Sequence, residues 1–220
     1  MRLVTFGDDP GLVKYLKTEY TNVGLGRKYV DLFSKLEALK EWLDTTNIDQ
    51  NELIIFVDGY DVVQRRTDME NFEKEFEKFD ADMVISAEMF CWPNYYTKFL
   101  FPDSPTKYRW PNSGTIAGRA WVMRKMLNWG PYRINFDDQG YLQDFFLRAR
   151  TDTRIKLDYH QVLFQTATLV PWKELDETRA FFVHFNGKAF LKEDGTSVLD
   201  EYASGRPIGA IPKKQQIIPC

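Results

Sequence analysis

Cysteine is scarce in this chain. Of 220 residues only Cys91 and Cys220 are cysteines, too few and too far apart for a disulfide framework or a thiolate metal cluster; both are expected as free thiols. Long apolar runs are absent, and nothing approaches the ~20 residues of a membrane-spanning helix. The opening segment MRLVTFGDDPG carries one arginine and a short apolar stretch broken by glycine and aspartate, unlike a secretory leader. No membrane association and a cytoplasmic location are therefore expected. A large excess of one charge is also lacking: the formal net charge is −3, which gives no general attraction to nucleic acid or anionic lipid. Arg148, Arg150 and Arg154 form one local basic cluster and Lys213 and Lys214 another, each readable as solvated surface. Gly24 and Gly26 do not extend into a dinucleotide-binding fingerprint, and there is no internal repeat.

What is present is a globular composition, 44% hydrophobic and 15% aromatic, in a length that suits one domain with a full core. Residues 53–61, LIIFVDGYD, dominate the pattern. The apolar run reads as a strand buried on both faces, and it ends in two carboxylates, Asp58 and Asp61. Ligands of open α/β sheets gather beyond the carboxyl ends of parallel strands, and neighbouring carboxylates repel unless a cation with oxygen ligands offsets them. The same acids could instead cap backbone amides in a turn.

Periodicity fills in an α/β alternation. Residues 2–6 predict a strand, and Leu12, Val13, Tyr15 and Leu16, after an Asp-Asp-Pro-Gly turn, predict a helix. Tyr29, Leu32, Phe33, Leu36, Leu39 and Leu43 recur at helical spacing, as do Met69, Phe72, Phe76 and Phe79. Residues 83–87 predict a strand ending at Glu88, followed by a loop at 92–110 rich in Pro, Tyr and Trp, long enough for a lid or binding surface. Pro111-Asn112-Ser113-Gly114 predicts a turn into a strand at 115–117, with a helix at 119–129. Asp137 and Asp138 open a helix carrying Tyr141, Leu142, Phe145 and Phe146, where acids are favoured by free amides and the dipole. Short strands are predicted at 155–158, 162–164 and 181–185. The domain is expected to occupy 1–192, with 193–220 a tail that packs on it or is partly mobile.

Taken in order, FVDGYDV, AEMFCWP, PNSGTIAG, DDQ, LDYHQVLFQ and VHFNGK resemble the glycosyltransferase domain of the procollagen lysyl hydroxylase and collagen glycosyltransferase (PLOD-like) family, from GLGRKY to VHFNGK. The resemblance implies an α/β GT-A fold, a Rossmann-like mixed sheet flanked by helices. It also implies a metal-dependent transferase moving a hexose from UDP-glucose or UDP-galactose to a hydroxyl acceptor. Carried over by residue, Asp58, Asp61 and His184 become metal ligands, for Mn²⁺ or alternatively Mg²⁺; one imidazole among oxygens suits manganese better than calcium. Tyr60 becomes the uridine-stacking aromatic and Tyr29 the residue beside the base, with Thr5 and Phe6 as backbone contacts for the uracil edge. Lys35 and Lys188 approach the diphosphate, and Asn186 and Gly187 share the donor-binding motif. Glu88, Trp92, Asn112, Asp137 and Asp138 correspond to the catalytic pocket, Asp138 first on the acceptor side.

The chain departs from the family pattern in three places. Gly59 replaces a common serine, the usual HGNG is here HFNG with Phe185 in second position, and the acidic run is shortened to two aspartates. Phe185 is expected to narrow the pocket near the diphosphate or the sugar. The family's default acceptor is hydroxylysine of a collagen-like protein. A hydroxymethylated pyrimidine, 5-hydroxymethylcytosine, in viral-type DNA is an alternative, which would suit a virus-encoded enzyme in host cytoplasm, and a non-catalytic UDP-sugar-binding module is another.

Overall fold

The computed structural model describes residues 1–130, 137–187 and 197–205. Its elements run in order β1 (Arg2–Phe6), β2 (Thr21–Asn22), α1 (Ser34–Thr45), β3 (Leu53–Asp58), β4 (Val62–Gln64), α2 (Met69–Lys78), β5 (Met83–Glu88), a 3₁₀ helix (Tyr95–Leu100) and β6 (Trp110–Arg119). Then follow α3 (Ala120–Leu127), α4 (Asp138–Ala149), β7 (Ile155–Asp158), β8 (Phe164–Thr166), α5 (Trp172–Glu177), β9 (Phe182–His184) and α6 (Leu199–Ala203). The central sheet has the order β2-β1-β3-β6-β5-β7, and β4-β9-β8 form a smaller one. Within the large sheet β6 runs antiparallel to both neighbours, whereas β1 is parallel to β2 and β3, and β5 to β7.

The apolar run of β3 is explained by two cores. Successive side chains of a strand point to opposite faces, so Ile54 and Phe56 join Leu36, Leu39, Val122 and Phe145 of the helices on one side. Leu53, Ile55 and Val57 meet Phe72 and Phe76 of α2 and Phe164 and Phe182 of the small sheet on the other. Among the described residues no helix is long and apolar enough to cross a membrane.

Several local expectations are corrected. Residues 12–16 form no helix: Leu12 is exposed, and Tyr15 is held by its carbonyl to the Gln64 N–H (3.0 Å) and by its hydroxyl to Asp200 (3.0 Å). The helix expected from Tyr29 begins only at Ser34, whose Oγ accepts the N–H groups of Val30 and Asp31 (3.0 and 3.1 Å). The Pro-Asn-Ser-Gly segment lies inside the ten-residue β6; Pro111 is tolerated beside a register irregularity between Ile85 and Ala87 of the partner strand. The strand expected at 162–164 appears at 164–166, because the Asp158 carboxylate takes the N–H groups of Val162, Leu163 and Phe164 (2.7–2.9 Å) into a turn. Within the expected tail, α6 buries Leu199 and Tyr202. Phe185 points into the core, edge-on to the Tyr202 ring at 5.0 Å, and does not narrow the pocket.

Candidate active site

The topology gathers acids at one edge of the large sheet. Parallel β1 and β3 bring Asp58 to the end of β3 opposite Phe6, and Gly59 follows where an added Cβ would overlap the Phe6 carbonyl. That close approach leaves no room for a side chain at Gly59. Glu88 ends β5. Because β6 is antiparallel to both, its early residues lie at the same edge, with Val57 opposite Thr115 and Glu88 opposite Trp110. Pairing of β4 with β9 sets Val62 opposite His184, and the Phe185 N–H donates to the Asp61 carbonyl (2.8 Å). Helix α1 supplies Lys35 and the start of α4 supplies Asp138. Together these groups line a cavity of about 350 Å³ that also includes Trp92, Asn112, Asp137 and Gln139.

The two neighbouring aspartates of α4 have different jobs. Asp137 is the N-cap and accepts from the N–H groups of Gln139 (2.8 Å) and Gly140 (3.0 Å). Asp138 is buried and pairs through Oδ2 with the Lys35 ammonium at 2.8 Å, while the same ammonium donates to Asp58 Oδ1 at 2.6 Å. Burial disfavours charge on Lys35, but Asp138 and Asp58 outweigh it and hold its pKa above the ordinary value. Burial also pushes Asp58 up, against the opposing pull of Lys35 and His184. For Asp61 the attraction and hydrogen bond of His184 overcome burial and lower the pKa; for His184 the charge of Asp61 overcomes burial and raises it.

A chain of amides crosses the floor. His184 Nδ1 faces Asn112 Oδ1 at 2.8 Å, and that oxygen also accepts the Gly114 N–H at 3.0 Å. Asn112 Nδ2 donates to Gln139 Oε1 (3.1 Å), which also takes the Ser113 N–H (3.3 Å). Gln139 Nε2 donates to Glu88 Oε1 (2.5 Å) and the Trp92 carbonyl (2.7 Å), and Asn186 Nδ2 donates to Glu88 Oε2 (2.7 Å). Burial still dominates at Glu88 and lifts its pKa to about 7. Gln139, the last residue of the DDQ motif, is not among the expected site residues, because its role lies in hydrogen bonds to Glu88, Asn112 and Ser113 that are distant in sequence.

Comparison with known proteins decides the family. A family model described as the PLOD GT domain matches residues 17–184. The chain belongs to the PLOD GT domain family. A procollagen-lysine,2-oxoglutarate 5-dioxygenase of Drosophila melanogaster is 31% identical over 75% of this chain and 25% of its own length. The multifunctional procollagen lysine hydroxylase and glycosyltransferase LH3 of Homo sapiens is 26% identical over 74% of this chain and 24% of its own. The chain thus spans about a quarter of these relatives. A crystal structure of a glycosyltransferase involved in glycosylation of the major capsid of PBCV-1 aligns with TM-score 0.53 at 13% identity, covering 92% of this chain and 98% of that one. Its likeness is one of fold, the GT-A type.

In this PLOD GT domain the donor set suits a divalent cation. Asp58, Asp61 and His184 offer ligand atoms all within 4.8 Å of one another. The Asn112 oxygen, already taking the Gly114 N–H, is an acceptor, so His184 Nδ1 carries hydrogen and Nε2 faces Asp61 (3.4 Å) and Asp58 (3.7 Å). An imidazole lone pair aimed at two carboxylates is unfavourable without a cation or proton among them, and such an outer hydrogen bond is how ligating histidines are oriented. Gly114 makes room for the ring, since a Cβ there would overlap it.

Of the remaining expected donor residues, Thr5, Phe6, Tyr29 and Tyr60 lie outside this cavity. Thr5 is buried with its hydroxyl on the Val57 carbonyl (2.8 Å), and its own carbonyl takes the Val23 N–H (2.9 Å). Tyr29 is exposed, its ring 6.4 Å from that of Phe6. The Tyr60 hydroxyl donates to Asp8 and accepts from the Asp9 N–H. Asn186 and Gly187 line the cavity, whereas Lys188 falls outside the described residues. Asn112, expected against the sugar, commits its oxygen to His184 and Gly114 and a hydrogen to Gln139.

Proposed function

We propose that this domain transfers a hexose from UDP-glucose or UDP-galactose to a hydroxyl of a larger acceptor, with hydroxylysine of a collagen-like polypeptide as the acceptor its family points to. The observation that carries the reading is the convergence of Asp58, Asp61 and His184 in a cavity that also holds Glu88 and Asp138. Bound to the three, Mn²⁺ or Mg²⁺ would offset the diphosphate charge and act as a Lewis acid toward the departing UDP. Lys35, now shared by Asp58 and Asp138, would stabilise negative charge developing on that leaving group. Asp138 and Glu88 are the carboxylates available to take the acceptor hydroxyl's proton. Asn112 and Gln139 hold His184 and Glu88 in place, and Trp92 orients the hexose. Tyr29 and Tyr60, with Phe6 at the end of β1, would hold uridine.

A nucleic-acid acceptor has less support. Arg154 is paired with Asp80 and Asp82 and Arg148 with Asp144, Arg150 lies over the Phe146 ring, and the cavity is lined with carboxylates. Calorimetry should detect UDP binding that requires Mn²⁺ and disappears on chelation. Labelled UDP-glucose or UDP-galactose, offered with a hydroxylysine peptide or hydroxymethylcytosine DNA, should label the peptide. UDP binding indifferent to metal would sink the metal assignment, and label on DNA alone would sink the acceptor.

A further inference from the structure

We infer that Asp8 is a positioning residue for the donor nucleotide, its carboxylate bracing Tyr60 and the backbone of Tyr29, the two tyrosines assigned above to uridine. The inference rests on that assignment and adds a residue outside the cavity. Both carboxylate oxygens reach far along the chain. Asp8 Oδ1 accepts the Tyr60 hydroxyl, 52 positions away, and Oδ2 accepts the Tyr29 N–H at 3.4 Å, 21 positions away. Its neighbour Asp9 does the ordinary work of a turn, with Oδ1 taking the Gly11 N–H (2.8 Å) and the carbonyl taking the Leu12 N–H (3.1 Å). The Asp9 N–H also donates to the Tyr60 hydroxyl (3.0 Å), so adjacent residues fix both a donor and an acceptor for that oxygen.

The segment carrying Asp8 is itself anchored. Asn22 Oδ1 accepts the Gly7 and Gly24 N–H groups and its Nδ2 donates to the Gly7 carbonyl, each at 2.9 Å. Gly7 leaves space for the Tyr60 ring, since an added Cβ would come within 3.3 Å of its Cε1. Phe6 stands 6.4 Å, ring to ring, from Tyr29. The Tyr29 hydroxyl lies within electrostatic reach of Lys35, Asp138 and Asp58, all of which line the cavity. The aromatic group therefore borders the metal ligands, as a ligand with a flat base and a diphosphate requires. Tyr29 is exposed and Tyr60 half-buried. Side chains free to turn would lose that freedom when a base stacks on them, whereas bonds made before the ligand arrives leave less to lose. A charged acceptor also holds the Tyr60 hydroxyl more strongly than a neutral one.

The test uses the full chain and its Asp8→Ala, Asp8→Asn, Tyr60→Phe and Asp8→Ala/Tyr60→Phe variants. Calorimetry with Mn²⁺ present measures binding of UDP and, as a probe without a base, of pyrophosphate, while thermal melts follow folding. Asp8→Ala should bind UDP about tenfold more weakly, the scale of one hydrogen bond to a charged group, and should bind pyrophosphate as wild type does. Asp8→Asn keeps an acceptor for the Tyr60 hydroxyl and should recover most of the loss. The double variant should bind UDP no more weakly than the weaker single variant, because both changes remove the same interaction. Wild-type UDP affinity in Asp8→Ala, an equal loss for pyrophosphate, or additive losses in the double variant would each overturn the positioning role. A wild-type chain that binds no UDP would overturn it together with the donor reading. The expected pattern in a chain that transfers no hexose to a hydroxylysine peptide would support the positioning role and defeat only the acceptor chemistry proposed above.

Discussion

Replacing Gln139 with leucine is expected to uncouple the histidine of the metal site from the acid across the cavity. Gln139 donates to Glu88 and the Trp92 carbonyl and accepts from Asn112 and Ser113, over 2.5–3.3 Å. Leucine has similar bulk and none of these bonds. The Trp92 carbonyl keeps Gln143, but the Ser113 N–H, an Asn112 hydrogen and one Glu88 oxygen lose a partner. At ~1–3 kcal/mol for each buried polar group left unpaired, partly relieved by water entering from the cavity, the net loss of stability should be about 2–4 kcal/mol. Asn112 would also lose the bond that fixes its orientation, and with it the restraint on His184. Loss of such an outer partner typically lowers metal affinity ~10–100-fold.

Gln139→Glu separates positioning from bulk. It retains an oxygen for Asn112 and Ser113 but sets a carboxylate against Glu88, and two carboxylates at that distance cannot both ionise readily. Manganese affinity should therefore stay near wild type while one proton is shared, and weaken as rising pH removes it. Mn²⁺ titration followed by electron paramagnetic resonance of the free ion, alongside thermal melts, reads both effects. The reasoning is refuted if the leucine variant binds Mn²⁺ as wild type does, or if both variants lose the same affinity at every pH.

Four other outcomes are expected. Burial lifts Glu88 from an ordinary 4.5 to about 7, so the folded state holds this proton longer than the unfolded chain. Stability should fall as pH rises between those values, by ~3 kcal/mol from the difference in pKa; Glu88→Gln should flatten that slope in denaturant melts, and an unchanged slope would show that Glu88 does not titrate there. Gly114→Ala should displace the His184 ring, destabilise by ~1–3 kcal/mol as overpacking does and abolish Mn²⁺-dependent UDP binding, whereas unaltered binding would contradict the contact. Asp137→Ala should cost ~1 kcal/mol as a lost cap and Asp137→Asn much less, as thermal melts would show. Asp138→Asn should leave UDP binding intact while slowing transfer ~100-fold or more; a normal transfer rate would remove Asp138 from the chemistry.

Much of the scaffold was legible because it follows from short-range pattern. The strand at 53–58 is buried on both faces and is apolar at every position but the last, and α2 shows its buried stripe at Phe72 and Phe76. The errors arise where distant partners override that pattern. Leu12 to Leu16 have helical spacing, yet Gln64 and Asp200 hold Tyr15 in another course. Proline, asparagine and glycine at 111–114 suggest a turn, yet that segment continues β6, with Pro111 opposite Ala87 of β5. His184 reaches Asp61 through pairing of two three-residue strands 120 positions apart, which no local periodicity encodes.

Asp137 and Asp138 show how far sequence can go and what must be added. Helix-start chemistry accounts for acids at both positions, and resemblance to a family accounts for both as pocket residues. Geometry separates them. A capping side chain folds back onto the amides of the next turn, which fixes Asp137 on Gln139 and Gly140. The following residue has entered the helix, and its side chain projects about 100° further round the axis; here that direction is toward Lys35. One more residue brings Gln139 to Glu88 and Asn112. Three consecutive residues thus have three separate functions because a helix begins at the rim of the cavity: one secures the helix, one carries a carboxylate into the cavity, and one ties the cavity's other acid to its histidine.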